Sequence, residues 1–274
     1  RAGAPLRVAA SHDLVLGELR DLWARRHRIA LEFHGSVEAL DLYRAGRADV
    51  AGFHVAKAGS DSKVAKVGSD STFANAKVES DPTFDPTFDP AFAARLDPAR
   101  DAVIPFVVRT QGFIVPAGNP ARVASFADVV RRRLRFVNRQ PGSGTRILVD
   151  RLIANEGIDT RAIAGWSTEE FTHAAVAATV AAGRAEVGFG IRAAAAQLGL
   201  GFVPVVDERY AFVVKRDDLG DPRVRAFRRL LASASVAKVV APMPGYRFDT
   251  PSSGRPGARS GGGRPVGGGT TIAP

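Results

Sequence analysis

Three short stretches of this chain place hydroxyl and glycine residues where an apolar run gives way to a helical pattern: Ala10-Ser-His-Asp13, His34-Gly-Ser36 and Gly142-Ser-Gly-Thr145. The third lies in the run Arg135-Phe-Val-Asn-Arg-Gln-Pro-Gly-Ser-Gly-Thr-Arg146 and leads directly into Ile-Leu-Val-Asp-Arg-Leu-Ile. The first amides of a helix have no partners within it and carry partial positive charge, so such a turn favours an anion. Gly142 and Gly144 let the backbone approach a ligand closely, and Ser143 and Thr145 offer hydroxyl donors. Serine is also a common helix cap, so a capped helix without a ligand is the alternative at each junction. Taken together, the three junctions predict a pocket for an oxyanion or carboxylate, because ligands gather at the carboxyl ends of strands in open α/β sheets.

Other motifs carry less. The Gly-x-x-x-x-Gly-Lys-Ser/Thr spacing of a phosphate-binding loop is absent, as is a Gly-x-Ser-x-Gly elbow. Gly188-Phe-Gly-Ile-Arg-Ala193 fits a relaxed dinucleotide pattern, but it lies late in the chain. Packing of a strand against an alanine-rich helix explains its glycines more simply. His12, His27, His34, His54 and His173 show no metal-ligand spacing, although His12, His34 and His54 could meet at strand ends. The expectation is no metal and no cofactor, with His12 and His173 lining a cleft as hydrogen-bond donors. Glu169 and Glu170 are adjacent and point in different directions, which suits surface better than paired acid–base work. In Glu208-Arg209-Tyr210 the arginine is expected to pair with a carboxylate and the tyrosine to pack at the cleft edge; an ordinary loop before a strand fits equally well. These readings predict a binding protein and not an enzyme.

The 274 residues allow one large domain or two ordinary ones, and a 45% hydrophobic content suffices for a core. No apolar run approaches the roughly 18 to 20 residues that span a bilayer. The absence of cysteine excludes disulfides and cysteine metal sites. The formal charge of +10 includes a cluster at Arg131, Arg132, Arg133 and Arg135 and a basic tail with Arg247, Arg255, Arg259 and Arg264. Without interleaved aromatic platforms, these arginines read as solvated surface that assists attraction of a small anion. The opening Arg-Ala-Gly-Ala-Pro-Leu reads as a processed or excised fragment. A cytoplasmic location is expected, with a periplasmic or extracellular one as the alternative if a signal peptide was removed. Oligomeric state is left open.

Elements that must position these junctions alternate. Strands are expected at 6–10, 29–33 and 49–53, with helices at 13–26 (Leu14, Leu19, Leu22 and Trp23 inward) and 37–45. Residues 56–92 repeat Ala-Lys-x-Gly-Ser-Asp-Ser and Asp-Pro-Thr-Phe and read as a low-complexity insert. Strands follow at 102–109 and 112–116, a Ser125-capped helix to 132, and the 135–155 strand–turn–helix. Beyond it come helices at 172–182, 192–198 and 222–233, and strands at 187–191, 202–206 and 210–215. From Pro242 the Gly/Pro/Ser/Arg composition predicts a loose tail. Alternation of this kind implies parallel strands with helical crossovers, an α/β fold.

Several of these stretches together resemble one family. They are Leu-Arg-Val-Ala-Ala-Ser-His-Asp (6–13), His-Gly-Ser-Val-Glu-Ala-Leu (34–40), Gly-Arg-Ala-Asp-Val-Ala-Gly-Phe-His (46–54), the 135–146 run, Thr172-His-Ala-Ala-Val176, Ala185-Glu-Val-Gly-Phe-Gly190 and Glu208-Arg-Tyr210. The chain is similar over 6–235 to periplasmic-binding-protein-like (type II) domains. Such domains occur beside helix-turn-helix modules of bacterial regulators and in molybdopterin-biosynthesis-related proteins. The resemblance implies two α/β lobes, each a mainly parallel sheet flanked by helices, joined by two crossovers around a cleft. Lobe one would be 1–108 plus 208–240, lobe two 109–207, and 241–274 a flexible tail. It further implies a ligand such as molybdate or tungstate, held by Ser11 and Ser36 from one lobe and by Arg139, Ser143, Gly144, Thr145 and Arg146 from the other; His12, His173 and Tyr210, read above as cleft residues, complete the expected ligand-binding set. Implied partners are a DNA-binding module, if this is a regulator's sensor domain, or the membrane component of an ABC transporter, if it is a solute receptor. An enzyme of molybdenum-cofactor or nucleotide metabolism is the remaining alternative.

Overall fold

A computed structural model describes residues 4–56 and 90–249; the repeats at 57–89 and residues 250–274 lie outside the described residues. The first strands alternate their side chains between two apolar clusters, as a strand covered on both faces must. In β1 (Leu6–Ser11), Val8 and Ala10 face one cluster and Ala9 the other. α1 (Leu14–His27), capped by Asp13, leads to β2 (Ile29–His34), and α2 (Ser36–Arg44) leads to β3 (Val50–Ala56). Both β2 and β3 pair with β1 in parallel. α1 buries Val15, Leu16, Leu19 and Trp23. Leu14 and Leu22, expected in that stripe, are only partly buried at its margins, and Leu14 packs against the cluster around Val137, Val176 and Ile191.

α3 (Pro90–Ala93) is followed by β4 (Asp101–Val115), α4 (Phe126–Arg131), β5 (Phe136–Arg139), α5 (Gly144–Asn155), β6 (Glu169–Glu170), α6 (His173–Ala181), β7 (Val187–Ile191), α7 (Arg192–Gln197) and β8 (Gly201–Lys215). α8 (Pro222–Leu231), α9 (Ala234–Val240) and β9 (Tyr246–Phe248) complete the described chain. The strands form one mixed sheet in the order β2-β1-β3-β8-β4-β7-β5-β6, with β9 on the free edge of β4. The pairings β5–β6 and β5–β7 are parallel, whereas β3–β8, β4–β8, β4–β7 and β4–β9 are antiparallel. The sheet is therefore less parallel than alternation alone predicts, because two long return strands run through its middle.

β4 and β8 pair from Asp101↔Lys215 to Val115↔Gly201. At about 3.3 Å per residue each is roughly 50 Å long, enough to serve both halves of the sheet. The early part of β4 (Ala102, Ile104, Phe106) packs into the cluster around Trp23 and Phe227, and its late part (Phe113, Val115) into that around Phe126, Phe136 and Phe189. Sequence reading splits each long strand in two at its polar residues. Those residues satisfy one another across the pair instead: Arg109 faces Glu208, and the Thr110 hydroxyl donates to Asp207 at 2.8 Å. The chain also stays ordered past Pro242. β9 pairs with residues 107–109 of β4, and Asp249 accepts from Arg209 at 2.8 Å, which gives the first residues of the expected tail a fixed place.

Candidate functional site

Each helix-start junction solves its capping problem differently. At the first, the cap is Asp13, whose carboxylate accepts from the Val15 amide at 2.9 Å; Ser11 remains in β1, and its carbonyl accepts from the Tyr210 hydroxyl at 2.9 Å. α1 therefore already holds a carboxylate at its positive end. At the second, Gly35 is the cap and Ser36 the first helical residue, with its hydroxyl 3.5 Å from both the backbone nitrogen and Nδ1 of His54. Only the third has the expected serine cap: Ser143 accepts from the Arg146 amide at 3.2 Å and donates to the Gln140 carbonyl at 3.0 Å. A fourth junction has the same form, with Thr172 capping α6 immediately before His173.

The second and third junctions meet. A Cβ on Gly35 would stand 3.2 Å from the Gly142 carbonyl oxygen, and one on Gly144 would stand 3.0 Å from the His54 Cβ and 3.3 Å from the Ser36 hydroxyl. Ser36, Ser143, Gly144 and Thr145 are all buried there. Glycine at 144 is thus what allows α5 to lie against β3.

Beside this contact lies a buried charged centre on the two long strands. Arg109 of β4 donates to Asp13 at 2.8 Å and, through Nε, to Glu208 of β8 at 2.9 Å; its Nη2 is 2.8 Å from the same carboxylate without hydrogen-bond alignment. Gln111 donates its amide to Glu208, and Tyr246 of β9 donates to Asp13 at 2.8 Å. Burial pushes Asp13 towards neutrality, but the Arg109 charge and the Tyr246 hydroxyl overcome it and hold the carboxyl well below its usual range. His54 Nε2, 3.9 Å from Asp13, is too far for a hydrogen bond. Burial and the Arg109 charge push the His54 ring below its ordinary pKa despite the two nearby carboxylates.

Arg139, at the end of β5, is different. Its side chain is buried, yet its hydrogen bonds go to neutral oxygens: the Gln140 side chain at 3.0 Å and the carbonyls of Glu170 and Phe171 at 3.2 and 3.0 Å. No carboxylate pairs with it among the described residues. Burial, then the Arg109 charge, lower it to about 10, with Glu208 opposing. His12 and His173 share its surroundings. Burial lowers both rings; Asp13 opposes this at His12, while Arg139 and Arg109 add to it at both. Both ring nitrogens of His173, Nδ1 of His12 and the Gln111 carbonyl oxygen are buried without partners among the described residues.

Of the ten residues singled out from sequence, Ser36 and Gly144 meet where α5 lies against β3, with Ser143 and Thr145 flanking Gly144 in the chain, while Arg139, His12 and His173 lie close enough to influence one another electrostatically. Ser11 and Tyr210 join them through one hydrogen bond, and Tyr210 lies edge-on to His54 at 4.5 Å, buried and not at a cleft edge. Arg146 is committed elsewhere: it bonds Asp150 at 2.9 Å and Glu169 at 2.8 Å and lies over the Trp166 ring. His34 sits 3.1 Å from Glu38, apart from the other histidines' roles, and no three His, Asp or Glu side chains converge as metal ligands among the described residues. Gly190 accommodates the His173 ring and Gly188 accommodates Val176, which explains the dinucleotide-like spacing by packing. Sequence reasoning did not give Asp13, Arg109, Gln111 or Tyr246 any role; the available signal was three polar residues, Arg109, Thr110 and Gln111, interrupting the apolar 102–115 run.

Comparison with known proteins fits this architecture. The uncharacterized protein YvgK of Bacillus subtilis is 30% identical over 144 residues, 53% of this chain and 46% of YvgK, so the chain spans about half the length of that relative. The regulatory domain of the LysR family regulator MetR from N. meningitidis superposes with a TM-score of 0.53 at 12% identity, covering 89% of this chain and 99% of that domain. An ABC-type phosphate transport receptor from Vibrio cholerae superposes with a TM-score of 0.54 at 12% identity, covering 90% of this chain and all of the receptor. Residues 19–232 match the PBP superfamily domain, and the chain belongs to that superfamily.

Proposed function

We propose that this domain binds a small anion, an oxyanion or carboxylate, between the halves of its sheet and does not convert it chemically. The observation that carries this reading is Arg139: a buried guanidinium that, among the described residues, is paired only with neutral oxygens, beside the start of α5. A buried charge is costly unless paired, and a bound anion supplies the missing partner. The non-enzymatic reading is supported by Asp13 and Glu208, which are both committed to Arg109, so neither stands free as a general base. Ser36 comes from one half and Ser143 and Arg139 from the other, so an anion there would bridge them and favour one relative arrangement.

A sensor domain of a transcriptional regulator is the preferred setting, supported by the likeness to the MetR regulatory domain; a solute receptor for transport is the second, supported by the Vibrio cholerae receptor. Calorimetric titration with molybdate, tungstate, sulfate, phosphate and small carboxylates tests the binding. Saturable heat with at least one of them is expected, and none with any would defeat the proposal. Replacing Ser143 and Thr145 together by alanine should weaken binding tenfold or more while costing about 1 kcal/mol of stability through the lost cap. Unchanged affinity would put the anion elsewhere.

A further inference from the structure

Resting on that anion-binding reading, we infer that the ligand carries hydrogen-bond donors of its own: it is a hydroxylated carboxylate and not a fully deprotonated tetrahedral oxyanion. Buried atoms that lack partners among the described residues set this requirement. The Gln111 amide group gives its N–H to Glu208, so its carbonyl oxygen must face away from that carboxylate, and this oxygen is buried and unpartnered. His173 is buried at the first position of α6 with both ring nitrogens unpartnered. A neutral imidazole has one N–H and one bare nitrogen, so it needs a donor as well as an acceptor. Burial next to Arg139 and Arg109 keeps His173 neutral. Nδ1 of His12 is likewise unpartnered.

The unmet needs are therefore mixed. Arg139 calls for negative charge, whereas the Gln111 oxygen and the bare imidazole nitrogen call for O–H or N–H groups. Molybdate, tungstate and sulfate at neutral pH offer oxygen lone pairs only, which leaves these acceptors unsatisfied or repelled. A carboxylate with one or more hydroxyls meets both needs, with its anionic end on Arg139 and its hydroxyls on Gln111 and His173. A buried acceptor left without a donor weakens binding by roughly 10- to 100-fold, and sites built around such groups discriminate strongly against analogues lacking the hydroxyl.

The test is titration calorimetry on the full chain with D-glycerate and D-gluconate, against propionate, hexanoate, sulfate and molybdate. The hydroxylated acids are expected to bind at least tenfold more tightly than the others, and Gln111→Met or His173→Phe should erase most of that preference. Sulfate or molybdate binding as tightly as any hydroxy acid would overturn this inference and leave the anion-binding reading standing. A hydroxyl preference retained in both folded variants would also overturn it, by locating the acceptors elsewhere. Silence from every anion would remove the reading on which it rests. Should a variant fail to fold, the wild-type ligand series still decides between hydroxylated and bare anions.

Discussion

Arg109 and Arg139 are both buried arginines, and they should answer to mutation in opposite ways. Arg109 is the cation shared by two buried carboxylates, so Arg109→Met strips Asp13 and Glu208 of their common partner, at a cost of about 3–5 kcal/mol. Among the described residues Arg139 has no carboxylate to abandon. In Arg139→Met, loss of the bonds to the Glu170 and Phe171 carbonyls is offset by relief of an unpaired buried charge, and stability should change by no more than about 1–2 kcal/mol. Anion affinity should meanwhile fall tenfold or more. Denaturant unfolding and calorimetry of the two variants read both effects; a large stability loss in Arg139→Met would mean that its role is structural. Arg139 was visible in the sequence as part of the 135–146 run, whereas Arg109 read only as the last residue of a strand ending there.

Among the elements, β4 and β8 matter most because both halves hang on them. Their pairing shifts register between Gln111 and Gly112, and a methyl group on Gly112 would overlap the Val203 carbonyl of β8. The neighbour is backbone, which cannot rotate away, so Gly112→Ala should cost 2 kcal/mol or more and disturb the adjacent Gln111. A thermal melt checks this directly, and an unchanged midpoint would show that the irregularity is not needed. Local pattern located most helices and short strands within a few residues, because turns and caps are encoded by neighbours in sequence. It divided the long strands because alternation cannot tell a polar residue that ends a strand from one paired across it.

For the whole molecule, the buried histidines tie stability to pH. His12, His54 and His173 all titrate below their ordinary value of 6.5 when folded, while the unfolded chain protonates them near it. Unfolding therefore takes up protons below about pH 6.5, and stability falls as the pH drops through that region, by at most about 1.4 kcal/mol per pH unit for each ring. Asp13, held below its ordinary value of 3.8, loses its contribution only at still lower pH. The melting temperature should thus decline from pH 7.5 to pH 5.5, and less steeply in His173→Gln. A flat profile would mean that the rings accept protons in the folded state.

From sequence alone come the α/β alternation, the helix-start turns at 10–13, 34–36 and 142–145, and the resemblance to PBP-like domains, because caps, turns and apolar periodicity are local properties. Which partners Asp13, Arg109, Gln111, Glu208 and Tyr246 find, and that Arg146 is spent on Asp150 and Glu169 while Arg139 lacks a carboxylate, were decided by tertiary structure. These pairings join residues up to 233 positions apart, and only the packed sheet sets the distances on which charge and hydrogen bonding depend.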